Sequence, residues 1–177
     1  MYFGNHNSHA DFILIWAVLP RHMRRSARAV AAADYWEATK LRRFIGHDVL
    51  DAVLIDRNPE TRTQDPIAQM TAAIDAGASL ILFPEGRRND TESMLLPFKS
   101  GLFHLARMRP AIDLVPVWIE NLNRVLPRGE LVPVPLICTV TFGEPLHLES
   151  GEEKDAFLRR AAAALLDLAP RRERAVE

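Results

Sequence analysis

Short apolar segments alternate with helical patterns along the 177 residues of the chain. The apolar segments are continuous hydrophobic runs rather than alternating apolar and polar positions, which is typical of strands in a sheet covered on both faces. The runs that predict buried strands cover residues 28–33, 52–55, 79–83, 114–119 and 137–142.

Helical patterns lie between these runs, and several have recognisable ends. Asp65-Pro66 supplies an N-cap and a first-turn proline, and Gly77 supplies a stop. Ser150 and Glu153 have the spacing of a capping box. The predicted helices cover residues 12–19, 65–77, 99–109 and a last segment that ends near Pro170. This alternation predicts an α/β fold with a largely parallel or mixed central sheet flanked by helices.

The domain organisation is simple. Residues 1–170 show no linker or internal repeat and predict one domain, and residues 171–177 form a charged tail. The first chemically informative motif begins at residue 5, so we expect scaffold residues upstream of this chain.

Charge changes the picture only locally. The formal net charge of -1 gives no global electrostatic basis for nucleic-acid binding. Between Arg21 and Arg43, however, seven Lys/Arg stand against Asp34 and Glu37. Two interpretations stay open: a solvated helix face, or a contact with an anionic membrane surface at about 1 kcal/mol per basic residue.

Cysteine content and hydropathy limit the compartment. The single cysteine, Cys138, excludes an intrachain disulfide and fits a reducing compartment. The longest apolar run, residues 12–19, is well short of the ~20 residues that span a bilayer, and residues 1–6 do not read as a signal peptide.

His6 and Asp11 form the first candidate catalytic pair. They are five positions apart, immediately before the helical pattern of residues 12–19. This spacing lets the carboxylate reach one ring nitrogen and hold the histidine in one tautomer, leaving the other nitrogen to accept a proton. A second interpretation uses His6, His9 and Asp11 as metal ligands. No further cluster at metal spacing follows, so we predict no metal site.

The segment Phe83-Pro-Glu-Gly-Arg-Arg88 directly follows a predicted buried strand. Its turn and its two arginines, Arg87 and Arg88, are expected at the carboxyl edge of the sheet, where ligands of open α/β sheets bind. Arginine suits bidentate phosphate recognition, and Glu85 is placed to orient the arginines or to accept a hydrogen bond from a hydroxyl. Arg57 ends another strand and Lys99 opens a helix, so both are expected to favour the same anion.

The chain resembles the 1-acyl-sn-glycerol-3-phosphate acyltransferase family from residue 5 to about residue 145. Four blocks in the family's order carry the resemblance. They are Asn5-His6 with Asp11, Val53-Leu-Ile-Asp-Arg57, Phe83-Pro-Glu-Gly-Arg-Arg88 and Val115-Pro-Val117.

The resemblance implies a role for each block. His6 would be the general base and Asp11 its orienting partner. Pro116 would shape an acyl pocket. The acceptor-binding residues would be Asn5, Arg57, Glu85, Gly86, Arg87, Arg88 and Lys99.

The resemblance also implies an O-acyltransferase of phospholipid biosynthesis. Its acceptor would be a lysophospholipid, most often 1-acyl-glycerol-3-phosphate, which would give phosphatidic acid. Its donor would be acyl-CoA or acyl-carrier protein, with no cofactor, no metal and no covalent acyl-enzyme. The protein would be peripheral on the cytoplasmic face of the membrane.

Two departures and two alternatives accompany this interpretation. Arg87 stands where the family commonly has Thr, and the family's usual N-terminal membrane element is missing from this chain. The alternative functions are a non-catalytic lipid-binding module on the same fold and an acyltransferase with a different polar-lipid acceptor. No Gly-x-Ser-x-Gly motif occurs, and Cys138 lies inside an apolar run, so a protein nucleophile is disfavoured. Trp16, Phe103 and Trp118 are candidates for an acyl groove or for the core.

Overall fold

The computed structural model describes residues 1–8, 10–58, 60, 62–120 and 138–170. Its strands are β1 (Tyr2–Gly4), β2 (Ala27–Ala32), β3 (Val53–Ile55), β4 (Ser79–Leu82), β5 (Val115–Glu120) and β6 (Thr139–Phe142). Its α-helices are α1 (Asp11–Val18), α2 (Arg21–Arg24), α3 (Ala33–Trp36), α4 (Lys40–Phe44), α5 (Pro66–Asp75), α6 (Gly101–Met108) and α7 (Lys154–Leu166), and a π-helical turn covers Ile45–Val49.

The six strands form one mixed sheet in the order β3-β2-β4-β1-β5-β6. Every neighbouring pair is parallel except β5 with β6, which are antiparallel. The predicted α/β fold with a mixed sheet is therefore confirmed. Because the first five strands run in one direction, their carboxyl ends lie at the same edge of the sheet.

Helices cover both faces of the sheet, as the continuous apolar runs predict. In β1, Tyr2 packs on the face covered by α1, and Phe3 packs on the opposite face with α6 and α7. In β4, Ile81 packs on the α1 face and Leu80 on the opposite face, where α5 covers it. Alternate residues of these central strands therefore supply two separate cores.

Several helix predictions are confirmed. α1 begins one residue earlier than expected, at Asp11, and α6 begins at Gly101 rather than at residue 99. The Asp65 side chain caps α5 by accepting a hydrogen bond from the Ile67 amide at 3.3 Å, and Pro66 is the first residue of that helix. Gly77, two residues after α5, has a φ of +90°, which explains why the helix stops there.

Two predictions are wrong. α7 begins at Lys154 with Glu153 as its N-cap and without a side-chain cap, because the turn before it is closed by Glu152 reaching the Glu149 amide. The capping box at Ser150 and Glu153 is thus absent. Strand β6 was expected to be buried, but three of its four residues are exposed because it pairs with the described sheet only through β5.

The pattern also missed elements. Strand β1 has three residues and yet lies in the centre of the sheet, and the short helices α2, α3 and α4 follow one another around β2. No helix in the described part of the chain combines the length and apolarity that a membrane span needs. The predicted tail at residues 171–177 lies outside the described residues, and the domain boundary at residue 170 stays a prediction.

The chain leaving β1 is tied to strand β5 by a buried amide. The Asn5 side chain donates to the Ile119 carbonyl at 2.9 Å and accepts from the Ile119 amide at 2.7 Å. Asn5 is 1% exposed, so these backbone groups have no access to water. Asn5 therefore replaces the ladder hydrogen bonds that β1 no longer makes after Gly4.

We expect Asn5→Ala to destabilise the protein strongly. The substitution leaves the Ile119 N–H and C=O buried without partners, at about 1–3 kcal/mol for each group. Urea unfolding should show this loss, whereas Asn58→Ala, which removes an exposed amide that caps a local turn, should stay within about 0.5 kcal/mol of the parent. Equal losses in the two variants would contradict the structural role of Asn5.

Candidate active site

Four adjacent parallel strands deliver functional side chains to one edge of the sheet. Strands β1, β2, β3 and β4 end there, and each is followed within six residues by a polar or charged residue of the site. The residues that follow them are His6, Asp34, Arg57 and the pair Arg87 and Arg88. The expectation that these segments meet at the carboxyl edge is therefore confirmed.

His6 and Asp11 are in direct contact, as their spacing predicts. The His6 Nδ1 lies 2.9 Å from the Asp11 Oδ2, and the same oxygen accepts hydrogen bonds from the amides of Asn7 (2.7 Å) and Ser8 (2.8 Å). Asp11 is fully buried at the first residue of α1, where the helix N-terminus favours a negative charge. Its other oxygen, Oδ1, has no partner among the described residues.

This contact determines what the imidazole can do. A carboxylate only accepts hydrogen bonds, so in the neutral ring of His6 the Nδ1 carries the hydrogen and the Nε2 has a free lone pair. The Nε2 has no hydrogen-bond partner in the described part of the chain, and the side chain is 21% exposed. The ring also stacks on Phe83, with centroids 4.3 Å apart. His6 is thus oriented from two sides with one nitrogen available to a ligand.

Glu85 is placed differently from its predicted position. It is 1% exposed, and its two oxygens accept from the amides of His6 and Leu96, each at 2.8 Å. Burial raises the pKa of this carboxyl above its ordinary value, while the two backbone hydrogen bonds oppose the rise. Neither Arg87 nor Arg88 is its partner, so the predicted orientation of the arginines by Glu85 is wrong.

A cavity of about 520 Å³ opens at this edge, which is within the usual range for ligand sites. Its wall is largely apolar and comes from β2, the start of α1 and helix α3. His6 lines it, and three arginines add positive charge. The apolar and aromatic residues that line it include Phe12, Ile13, Tyr35, Trp36 and Phe83.

The cations of the cavity are Arg57, Arg87 and Arg88. The Arg57 Nη2 lies 2.7 Å from the Asp34 Oδ2, and this hydrogen bond lowers the pKa of the Asp34 carboxyl. Arg87 and Arg88 make no hydrogen bond or ion pair with any residue that the structure describes. Their positive charge is therefore available to an anionic ligand.

Lys99 does not join these arginines. It precedes α6 and does not line the cavity, and its side chain packs beside Gly86. A Cβ on Gly86 would lie 3.1 Å from the Lys99 Cγ, and Gly86 has a φ of +71°, so glycine is required in this turn. The structure thus brings together three of the four predicted cations.

Other predicted site residues lie away from the cavity. The Asn5 amide faces Ile119, and Pro116 packs against Gly143, where an added Cβ would lie 2.9 Å from the proline Cγ. Phe103 and Trp118 belong to the core on the α6 and α7 face, whereas Trp16 lies on the outside of α1. The acceptor contact of Asn5 and the acyl-pocket role of Pro116 stay predictions.

Sequence reasoning missed Asp34, Tyr35 and Trp36, which follow β2 at the cavity. Their position directly after a predicted strand was the available signal, because Arg57 and Arg88 were found in that way. The residues that the structure describes contain no group of three His, Cys, Asp or Glu suited to a metal ion, and His9 lies outside them. Cys138 is half-buried, burial raises the pKa of its thiol, and it does not line the cavity.

The arrangement suits one kind of chemistry. An oriented imidazole with a free nitrogen can take a proton from a hydroxyl, and the nearby guanidiniums can hold a phosphate of the same molecule. An apolar wall beside them suits a lipid chain. Among the described residues that line the cavity there is neither serine nor cysteine, so the attacking oxygen is expected from the ligand.

Comparisons with known proteins identify the family of the chain. Residues 1–120 match the Acyltransferase family. A 1-acyl-sn-glycerol-3-phosphate acyltransferase of Haemophilus influenzae is 27% identical over 174 residues, which is 97% of this chain and 67% of that protein. One from Cocos nucifera is 27% identical over 154 residues, and there the chain spans about half the relative's length (48%).

The fold has a solved counterpart. The 1-acyl-sn-glycerophosphate (LPA) acyltransferase PlsC from Thermotoga maritima superimposes with a TM-score of 0.71 at 17% identity. The match covers 94% of this chain and 64% of that one. The family match spans all four parallel strands that build the cavity, together with β5. The chain belongs to the Acyltransferase family.

Proposed function

We propose that the protein transfers a fatty acyl group from a thioester donor to a hydroxyl of a lysophospholipid. The acceptor that fits best is 1-acyl-glycerol-3-phosphate, and the product is phosphatidic acid. The observation that carries this proposal is the His6–Asp11 pair at a cavity lined by arginines. The activities named for the relatives from Haemophilus influenzae and Cocos nucifera support the same acceptor.

The reaction needs one proton acceptor and no protein nucleophile. The Nε2 of His6 takes the proton of the acceptor hydroxyl while the hydroxyl oxygen attacks the thioester carbonyl. The C–S bond then breaks, and the imidazolium returns the proton to the leaving thiolate. The Asp11 carboxylate stabilises the imidazolium during this exchange and keeps its ring in place.

The arginines select the acceptor. Arg87 and Arg88 have no partner among the described residues, and Arg57 is held over the cavity by Asp34. Guanidiniums bind phosphate with two parallel hydrogen bonds, so a phosphate on them places the acceptor hydroxyl near His6. Acyl-CoA and acyl-carrier protein both present the required thioester, and no cofactor or metal enters this scheme.

A non-catalytic lipid-binding module on this fold is the alternative. A separation of His6 and Asp11 beyond hydrogen-bond reach would favour it. Their 2.9 Å contact instead supports catalysis.

We expect His6→Ala to lower kcat by about 10²–10⁴-fold, because it removes the base. The kcat is measured from the release of free thiol by a long-chain acyl-CoA in the presence of lysophosphatidic acid and detergent. His104→Ala, which removes a histidine on α6 outside the cavity, should retain the parent activity. An unaffected kcat in His6→Ala would contradict the proposed chemistry.

We expect Arg88→Ala to raise the KM for the acceptor by about 10–100-fold, the value of a charge-assisted hydrogen bond to phosphate. The KM for the donor should change little, and Arg107→Ala on α6 serves as the matched control. Equal effects on both substrates would remove the phosphate-binding role of Arg88.

We also infer that the protein works at an anionic membrane surface on the cytoplasmic side. Half of the Ile13 side chain is exposed while the residue lines the cavity, so an apolar surface adjoins the opening. The basic residues Arg21 and Arg25, on and directly after α2, are exposed and follow α1 closely in the chain. The apolar residues exposed in this region are Ile13, Trp16, Val18, Met23, Leu41, Phe44 and Val49.

The membrane interpretation predicts a local charge effect. Arg21→Glu with Arg25→Glu should reduce binding to vesicles containing an anionic phospholipid by at least about tenfold, since each basic residue contributes about 1 kcal/mol. Arg107→Glu with Arg159→Glu alters the net charge equally on α6 and α7, at the opposite face, and should bind like the parent. Cosedimentation at two salt concentrations measures both. Equal losses in the two double variants would contradict this surface.

A further inference from the structure

The backbone of His6 is bound on both sides to the segment that follows β4. Its amide donates to the Glu85 Oε1 at 2.8 Å, and its carbonyl accepts from the Asn89 amide at 2.6 Å. Arg87 and Arg88 lie between these two attachment points. The candidate base and the two arginines of the cavity that have no partner among the described residues therefore share one hydrogen-bonded frame.

Glu85 joins a third stretch of chain to this frame. Its Oε2 accepts from the Leu96 amide at 2.8 Å, so one carboxylate holds residues 6 and 96 together. The side chain does not line the cavity and has no cationic partner among the described residues. A buried carboxylate without a cation is costly, and here it is kept by two backbone donors alone.

We propose that Glu85 is a positioning residue that fixes His6 relative to the Arg87–Arg88 turn and does not contact the acceptor. The inference rests on the proposed acyl transfer and assigns Glu85 a task within it. It replaces the acceptor contact that the family resemblance implies for this residue. The distance between the proton acceptor and the phosphate site then depends on Glu85.

The chemistry of the side chain explains why glutamate is required. Two amide hydrogens converge on it, and a carboxylate offers an acceptor oxygen to each of them. A glutamine of the same shape has one oxygen and one NH2 group, so it must face an N–H donor with another donor. Glu85→Gln therefore breaks one attachment without creating a cavity.

The kinetic signature of positioning differs from that of binding. If Glu85 places His6, the acceptor still binds to the arginines, but its hydroxyl meets a displaced base. Small misplacements of reacting groups cost up to about 10²-fold in rate. We expect Glu85→Gln to lower kcat by about 10–100-fold with the acceptor KM within about threefold of the parent. A contact with the acceptor predicts the opposite division between kcat and KM.

The matched control is Glu152→Gln. Glu152 is 11% exposed, accepts from the Glu149 amide and binds Arg160 near the start of α7, outside the cavity. Like Glu85→Gln, the Glu152→Gln variant weakens a hydrogen bond from a backbone amide to a carboxylate. It therefore measures how much general destabilisation alone changes the activity. We expect its kcat to match that of the parent. A Glu85→Gln variant with unchanged kcat and a raised acceptor KM would overturn the proposal.

Amide hydrogen exchange tests the hydrogen bonds from the His6 and Leu96 amides to Glu85 independently of enzymatic activity. In Glu85→Gln the protection of the His6 or the Leu96 amide should fall by at least about tenfold, while that of Ile81 in the centre of β4 should hold. Unchanged protection at both residues would overturn the proposal. A parent protein that transfers no acyl group would refute the proposed function, and the exchange result would still decide whether Glu85 holds His6.

Discussion

The parallel pairing of β1 between β4 and β5 is the constraint on which the site depends. This strand has only three residues, but its neighbours hold it from both sides, and its end determines where the chain enters the cavity. Asn5 extends the attachment by one residue through Ile119, and His6 follows directly. The candidate base is therefore placed by the centre of the sheet rather than by a surface loop. A central strand is among the last parts of a domain to open, which suits a group that needs a constant position.

The buried acidic residues and the accessible basic residues of the site have different roles. Asp11 and Glu85 are both almost fully buried, and between them they hold the ring and the backbone of His6. Arg87 and Arg88 lie on the open side and have no partner in the described chain. These two buried carboxylates thus organise the protein, while Arg87 and Arg88 stay available to a ligand. Arg57 differs from them, because it is already paired with Asp34.

Much of this arrangement was predictable from the sequence, and the exceptions share a physical cause. The His6–Asp11 contact follows from five residues of local chain, and the meeting of strand ends follows from parallel topology. Strand β1 is too short to show a period, and its importance comes from partners about 80 and 110 residues away. The role of Glu85 was missed because its partners are backbone amides, which every residue except proline has and which no sequence pattern can single out.

For the side chains at the cavity, too, the position was predictable from the sequence but the contacts were not. Arg57 was predicted at the site from its place after β3, but its partner Asp34 lies 23 residues earlier and was recognised only as part of a charged stretch. Lys99 was expected at the anion site because it precedes a helix, yet its side chain packs against Gly86 and it is not among the residues that line the cavity. Position along a strand predicted which residues approach the edge. The direction of each long side chain depends on packing between distant segments.

Strand β2 lines part of the cavity with small side chains. Ala29, Ala31 and Ala32 line the space together with Val30, so a central strand contributes almost no bulk at this end. These small side chains leave space for a ligand without interrupting the sheet, because larger residues at the same positions would fill that volume. Cavity size is consequently set in part by one short stretch of small residues. Larger side chains at these positions would reduce the space for a ligand without replacing any charged residue at the edge of the sheet.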